Sequence, residues 1–131
     1  MILDTNAYSA LARGVQSVVD VVIDSPELSL PLPVIAELRY GFAKGSRRER
    51  NEQALQKFLA QPQILVILPT IKTTEYYAEI QLFCQKHGRA LSQNDIWIAS
   101  LALETDDILV TFDKDFAVLR EILGDNLVIL G

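Results

Sequence analysis

"MILDTNAYSA", residues 1–10, places three apolar residues, Met1, Ile2 and Leu3, directly before an acid, Asp4, with Thr5 and Asn6 behind it. A short apolar run that ends on a charge reads as a buried strand whose end delivers a carboxylate to the rim of a sheet. Comparable runs return at residues 28–30, 64–68, 108–111 and 127–130, and are read as strands covered on both faces. Helical periodicity fills the intervals, over residues 7–13, 15–24, 34–44, 47–60, 73–86, 95–104 and 114–123. Gly14, Gly45 and Gly88 stand where helices should stop, and Pro26, Pro31 and Pro33 punctuate the second strand. Strands alternating with helices predict an α/β fold: a three-layer α/β/α sandwich with a central parallel sheet of four to five strands.

A length of 131 residues suits a single domain, 1–131, with a sizeable core. Half the residues are hydrophobic and 22% are charged, which is globular rather than disordered composition. No apolar stretch approaches the ~20 residues of a membrane span, so no membrane partner is expected. The first residues lack a basic start followed by a long apolar segment, and the lone cysteine, Cys84, has no internal disulfide partner; both point to the cytoplasm. A formal net charge of -5 argues against a nucleic-acid binder held by a broad basic surface, though not against one held through metal ions. The basic cluster Lys44, Arg47, Arg48 and Arg50 is read as a solvated helix start.

In an open parallel sheet, ligands sit outside the carboxyl ends of the strands, where the strand order reverses. Asp4 follows the first strand; Asp113 follows the fourth, in "ILVTFDKDF", with Asp115 two residues on. Asp95 opens the helix leading into that strand, in "LSQNDIWIASLAL", and Glu37 lies after the second strand, in "PVIAELRYGF". Each has a local explanation. Asp4 suits a turn, with Asn6 capping the next helix; Asp113 suits a cap for the helix after it; and Ser92 with Asp95 has capping-box spacing. Helical projection separates Asp95 from the rest, because Ile98, Ala99, Ala102 and Leu103 fall around it while Ser100 and Glu104 fall opposite. A carboxylate on an apolar face must be paired, hydrogen-bonded or metal-bound. If all four acids converge, either some are protonated or a divalent cation sits among them. His87 is placed at a helix end and Cys84 on an apolar face, so the ligands are oxygens and the expected ion is Mg²⁺ or Mn²⁺.

These stretches together resemble a PIN domain, and within that group the VapC-type ribonuclease toxins of prokaryotic toxin-antitoxin pairs. The likeness rests on "LDTN" with Asp4 and Asn6, "AELRYG" with Glu37, "NDIWIA" with Asp95, and "LVTFDKDF" with Thr111, Asp113 and Asp115, in order along essentially the whole chain. It implies Mg²⁺- or Mn²⁺-dependent cleavage of RNA, a cognate antitoxin that blocks the site, and a homodimer or toxin-antitoxin hetero-oligomer. Carried over by position, Asp4, Glu37, Asp95 and Asp113 are the catalytic acids, with Asp4, Asp95 and Asp113 as metal ligands. Thr111, Asn6 and Asp115 support them. Phe112 stands where such chains are often polar, which leaves the division of labour between Asp113 and Asp115 open.

Other readings are a PIN-like scaffold that binds RNA or protein without cutting, an aspartyl-phosphate phosphatase, and a receiver-like signalling domain. The phosphatase usually carries a second acid where Asn6 stands, and the receiver needs an Asp where Leu68, Pro69 and Thr70 lie. Leu11, Val15, Val18, Val19, Val22, Leu38, Phe42, Leu55 and Leu59 are read mainly as core, with some available to line a groove for an antitoxin helix or a dimer partner.

Overall fold

The computed structural model describes residues 1–131. Five parallel strands, β1 (Ile2–Leu3), β2 (Leu28–Pro31), β3 (Ile64–Ile67), β4 (Leu109–Thr111) and β5 (Leu127–Ile129), form one sheet in the order β3-β2-β1-β4-β5. Between them run α1 (Thr5–Ala12), α2 (Gln16–Val22), α3 (Leu32–Lys44), α4 (Arg48–Leu59), α5 (Thr73–Lys86), α6 (Gln93–Thr105) and α7 (Arg120–Leu123). Right-handed crossovers place α1–α4 on one face and α5–α7 on the other, giving the α/β/α sandwich expected from the alternation. The chain leaves β1 in one direction toward β2 and β3, then returns past it to β4, so the strand order reverses at the β1–β4 pair.

The central strands are short but completely buried. Ile2, Leu3, Leu30, Leu109 and Val110 have no exposed surface, and Ile2 pairs with Leu109 and Leu3 with Val110. Each such side chain contributes roughly 1.5–3 kcal/mol on burial, enough to fix the register of so small a strand. Because β1 and β4 are locked in register, the residues at their ends, Asp4 and Thr111, lie side by side; the Asp4 N–H donates to the Val110 carbonyl at 3.3 Å.

The outer strand departs from its expected environment. β3 is not covered on both faces: it lies at the sheet edge, with Ile64 buried and Leu65 and Val66 more than two-fifths exposed. The helix expected over 114–123 is instead a 3₁₀ helix, Lys114–Leu119, followed by the single turn of α7. Its start is tightened by Asp113, whose carboxylate accepts the Asp115 N–H at 2.9 Å, and Phe116 and Leu119 pin it into the core. Ser100, expected on the solvent side of α6, is fully buried and donates its hydroxyl to the Ile96 carbonyl at 2.6 Å. α6 packs against α5, α3 and α7, so a binary apolar stripe does not describe it.

Cys84 is fully buried in the core, as are Val18 and Leu55, with Val22 and Leu38 nearly so. Leu11, Val15, Phe42 and Leu59 pack partly buried against it. No helix is long and apolar enough to cross a membrane.

Candidate active site

Asp4 emerges from β1 as the N-cap of α1. Its Oδ1 accepts the Ala7 N–H at 2.8 Å, so the cap expected of Asn6 is made by Asp4, and Asn6 lies inside the helix. A cap needs only one carboxylate oxygen. The other, Oδ2, accepts the hydroxyl of Thr111 at the end of β4, and Thr111 Oγ1 in turn accepts the Asp113 N–H at 2.9 Å. A threonine hydroxyl has one proton to give and lone pairs to accept with, so Thr111 holds Asp4 and Asp113 to a common geometry. Asp4 and Thr111 are both buried, at 4% and 0% exposure, whereas Asp113 is half-buried.

The other two acids arrive from opposite faces of the sheet. Asp95 lies in the first turn of α6, where the Ser92 hydroxyl caps the helix by accepting the Asp95 N–H at 3.1 Å. Glu37, midway along α3, accepts the Asn94 side-chain amide at 2.8 Å, which ties α3 to the start of α6. Both side chains are half-buried. Helical projection alone leaves Glu37 undecided; its bond to the residue before Asp95 places it on the cleft wall.

Electrostatics shows that the four share one environment. Burial, opposed by the Thr111 and Ala7 hydrogen bonds and reinforced by Asp95 and Asp113, pushes the Asp4 carboxyl up from 3.8 to about 6. Burial also raises Asp95, opposed by Ser92 and reinforced by the charges of Asp113 and Glu37. None of the four carboxylates is in a salt bridge. Thr5, beside Asp4, keeps a buried hydroxyl oxygen with no hydrogen-bond partner.

The donor set fits a hard divalent cation: carboxylate oxygens, like charges gathered without a counter-charge, and an orphaned hydroxyl beside them. As the side chains stand, no three acids close into a ligand cage. The site is therefore a converging set of oxygen donors, with Asp4 and Asp113 held by hydrogen bonds and Asp95 and Glu37 on the facing helices.

Not every expected residue joins the set. Asp115 is exposed and gives its N–H to Asp113, while the acids that raise Asp4 are Asp95 and Asp113. Asn6 is exposed in the first turn of α1 and lines a cleft of about 330 Å³ with Arg13 and Phe112; the groups bonded to Asp4 are Thr111 and Ala7 instead. Sequence reasoning missed Asn94 and Thr5. An asparagine in the first turn of a helix carries no periodic signal, and Thr5 is marked only by standing next to Asp4.

Thr111→Val removes the hydroxyl between the two acids while keeping a β-branched shape. It is expected to raise the Asp4 titration midpoint above about 6, read by carboxyl carbon NMR, and to cost about 1–3 kcal/mol for the bonds left unmade. Thr111→Ser should restore both; an unmoved midpoint would remove Thr111 from the set.

Comparison with known proteins identifies the family of the fold. Residues 1–122 match the PIN domain. Ribonuclease VapC2 of Rickettsia felis is 33% identical over 94 residues, covering 71% of this chain and 69% of that protein. Ribonuclease VapC5 of Mycobacterium tuberculosis is 25% identical over 118 residues, covering 90% and 86%. Among solved structures, VapBC2 from Rickettsia felis bound to a DNA fragment from its promoter matches with a TM-score of 0.79 at 26% identity, over 98% of this chain and 96% of that one. VapBC-1 from nontypeable Haemophilus influenzae shares the fold, with a TM-score of 0.77 at 23% identity over 92% of each chain. With four acids gathered at the reversal point of a parallel sheet, the chain belongs to the PIN domain family.

Proposed function

We propose that this chain, acting as one domain over residues 1–131, is a metal-dependent endoribonuclease and the toxin of a toxin-antitoxin pair. One observation carries the reading: Asp4, buried at the carboxyl end of the central strand, has its carboxyl raised to about 6 in the field of Asp95 and Asp113, with no salt bridge to offset the charge. The likeness to ribonucleases VapC2 and VapC5 supports RNA as the substrate. The likeness to VapBC complexes supports a cognate antitoxin, bound in a hetero-oligomer in the cytoplasm.

Asp4, Asp95 and Asp113 would hold Mg²⁺ or Mn²⁺. The ion would supply a water of lowered pKa and a counter-charge for the phosphate. Thr111 fixes the Asp4 carboxylate against the backbone of Asp113 and, by bonding the ionised carboxylate of Asp4, favours the form that binds a cation. Glu37, oriented by Asn94, has one oxygen free to accept a proton from the attacking water.

The geometry ranks the two C-terminal acids. Asp113→Asn is expected to lower kcat for RNA cleavage by about 10²–10³-fold, the usual cost of one charged group at a reacting centre. Asp115→Asn should cost less than about tenfold, because that carboxylate is exposed and the bond to Asp113 runs through the Asp115 backbone N–H. Steady-state cleavage of a labelled RNA by purified protein in Mn²⁺ checks both. Absence of cleavage by the wild type would overturn the ribonuclease reading, and a larger loss in Asp115→Asn would overturn the ranking.

A further inference from the structure

An acidic site on a chain of net charge -5 repels RNA unless cations flank it. The structure has such a place. A cleft of about 580 Å³ opens on the two residues that follow Asp113, with His87, Arg89, Lys114 and Asp115 among its walls. Lys114 directly follows Asp113, and Arg89 precedes Ser92, the cap of the Asp95 helix, by three residues. The cleft therefore shares its backbone with both acids, adjoining Asp113 directly and reaching Asp95 through six residues, at most about 20 Å of chain, on the α6 side. Gly88, at φ +63°, turns the chain out of α5 and brings Arg89 to this rim.

Arg89 and Lys114 are exposed, and neither is in a salt bridge. Two positive charges thus meet one acid, Asp115, in a cleft of ligand size. His87 forms a fixed wall. Its ring stacks on Phe83 at 4.0 Å between centroids, and Nδ1 lies 2.8 Å from the Phe83 carbonyl, which can only accept, so Nδ1 carries a proton. Glu121 lies 3.7 Å from the other ring nitrogen and is largely exposed. Arg89 can present two N–H groups to one phosphate, while Lys114 supplies a point charge.

We propose that this cleft binds a non-scissile backbone phosphate of single-stranded RNA, with Arg89 and Lys114 as its ligands, and so sets where the strand crosses the acids. The assignment rests on the ribonuclease reading above. Phosphate contacts position a strand without reading its bases, so the cleft acts on affinity and register.

The test uses two RNAs, a labelled hexanucleotide and a dinucleotide that contains only the scissile phosphate. Arg89→Ala/Lys114→Ala should raise KM for the hexanucleotide by about tenfold or more with kcat nearly unchanged. It should also flatten the dependence of log affinity on log salt by about 0.7, the contribution of one phosphate contact on a single strand. Dinucleotide cleavage should not change. Arg89→Lys/Lys114→Arg should restore hexanucleotide binding, and Asp115→Asn should tighten it by about twofold, since it removes the one opposing charge. An unchanged KM and salt slope, or equal losses on both RNAs, would overturn the proposal. Fluorescence anisotropy of the hexanucleotide reads binding apart from cleavage. Wild-type protein that binds but never cuts would refute the ribonuclease reading alone, whereas equal binding by wild type and double variant would refute the cleft.

Discussion

Asp4→Asn is expected to abolish RNA cleavage, by about 10³-fold or more, and at the same time to raise the melting temperature of the metal-free protein at pH 7. Stability and activity part company here because of how Asp4 is held. Its carboxyl is raised from 3.8 to about 6, chiefly by burial, so the folded state resists ionisation that the unfolded chain permits. A raised carboxyl costs nothing below the unfolded value, where both states are protonated. The cost grows as pH rises from 3.8 and is complete above about 6. A shift of about two units corresponds to roughly 3 kcal/mol, an upper limit on the gain because Asn still buries a polar group. Asn also keeps an oxygen for the Ala7 N–H and an amide that can donate to Thr111. Thermal melts in EDTA should show the variant several degrees more stable at pH 7, with the difference gone near pH 4. Variant protein that melts lower at pH 7 would show that Asp4 is a structural cap and nothing more.

Removing divalent metal is expected to have an effect of the same size on activity and the opposite sign on stability. In EDTA, cleavage should fall to background, and added Mn²⁺ or Mg²⁺ should restore it in the same sample. Binding to the folded state alone stabilises it by RT ln(1 + [L]/Kd), about 2.7 kcal/mol at a hundredfold excess over Kd. Wild-type protein should therefore melt several degrees higher in Mn²⁺, because a cation among the acids offsets the charges that raise Asp4 and Asp95. The gain should be largest above pH 6, where Asp4 would otherwise be ionised without a partner. Asp4→Asn should lose most of the gain, which separates binding at this site from general cation effects. Cleavage that persists in EDTA would remove the metal from the reaction.

Much of this is legible in the residues, and the exceptions share a physical cause. Asp4 and Asp113 can be placed because they end apolar strands, and strand order alone brings those ends together. Asp95 can be oriented because helical projection puts it among Ile98, Ala99 and Ala102, all of them buried. Glu37 cannot, since its position depends on a bond to Asn94 across 57 residues of sequence. Thr111 is expected to support the site, yet its bridge between two acids follows from the β1–β4 register rather than from any local pattern. β3 is misjudged because an apolar run looks the same at a sheet edge as at its centre. Ser100 is misjudged because α6 is enclosed on more sides than one stripe implies. Arg89 lies in a loop, where periodicity says nothing, and gains meaning only from the cleft it shares with Lys114.

Calorimetric titration of Mn²⁺ into the metal-free wild type and into four single variants, Asp4→Asn, Asp95→Asn, Asp113→Asn and Asp115→Asn, bears most directly on whether these acids form one metal site. Saturable binding by the wild type is expected, weakened about tenfold or more in each of the first three variants and little changed in Asp115→Asn. Equal affinity in all five proteins, or a loss confined to Asp115→Asn, would contradict the assignment of Asp4, Asp95 and Asp113 as the ligands.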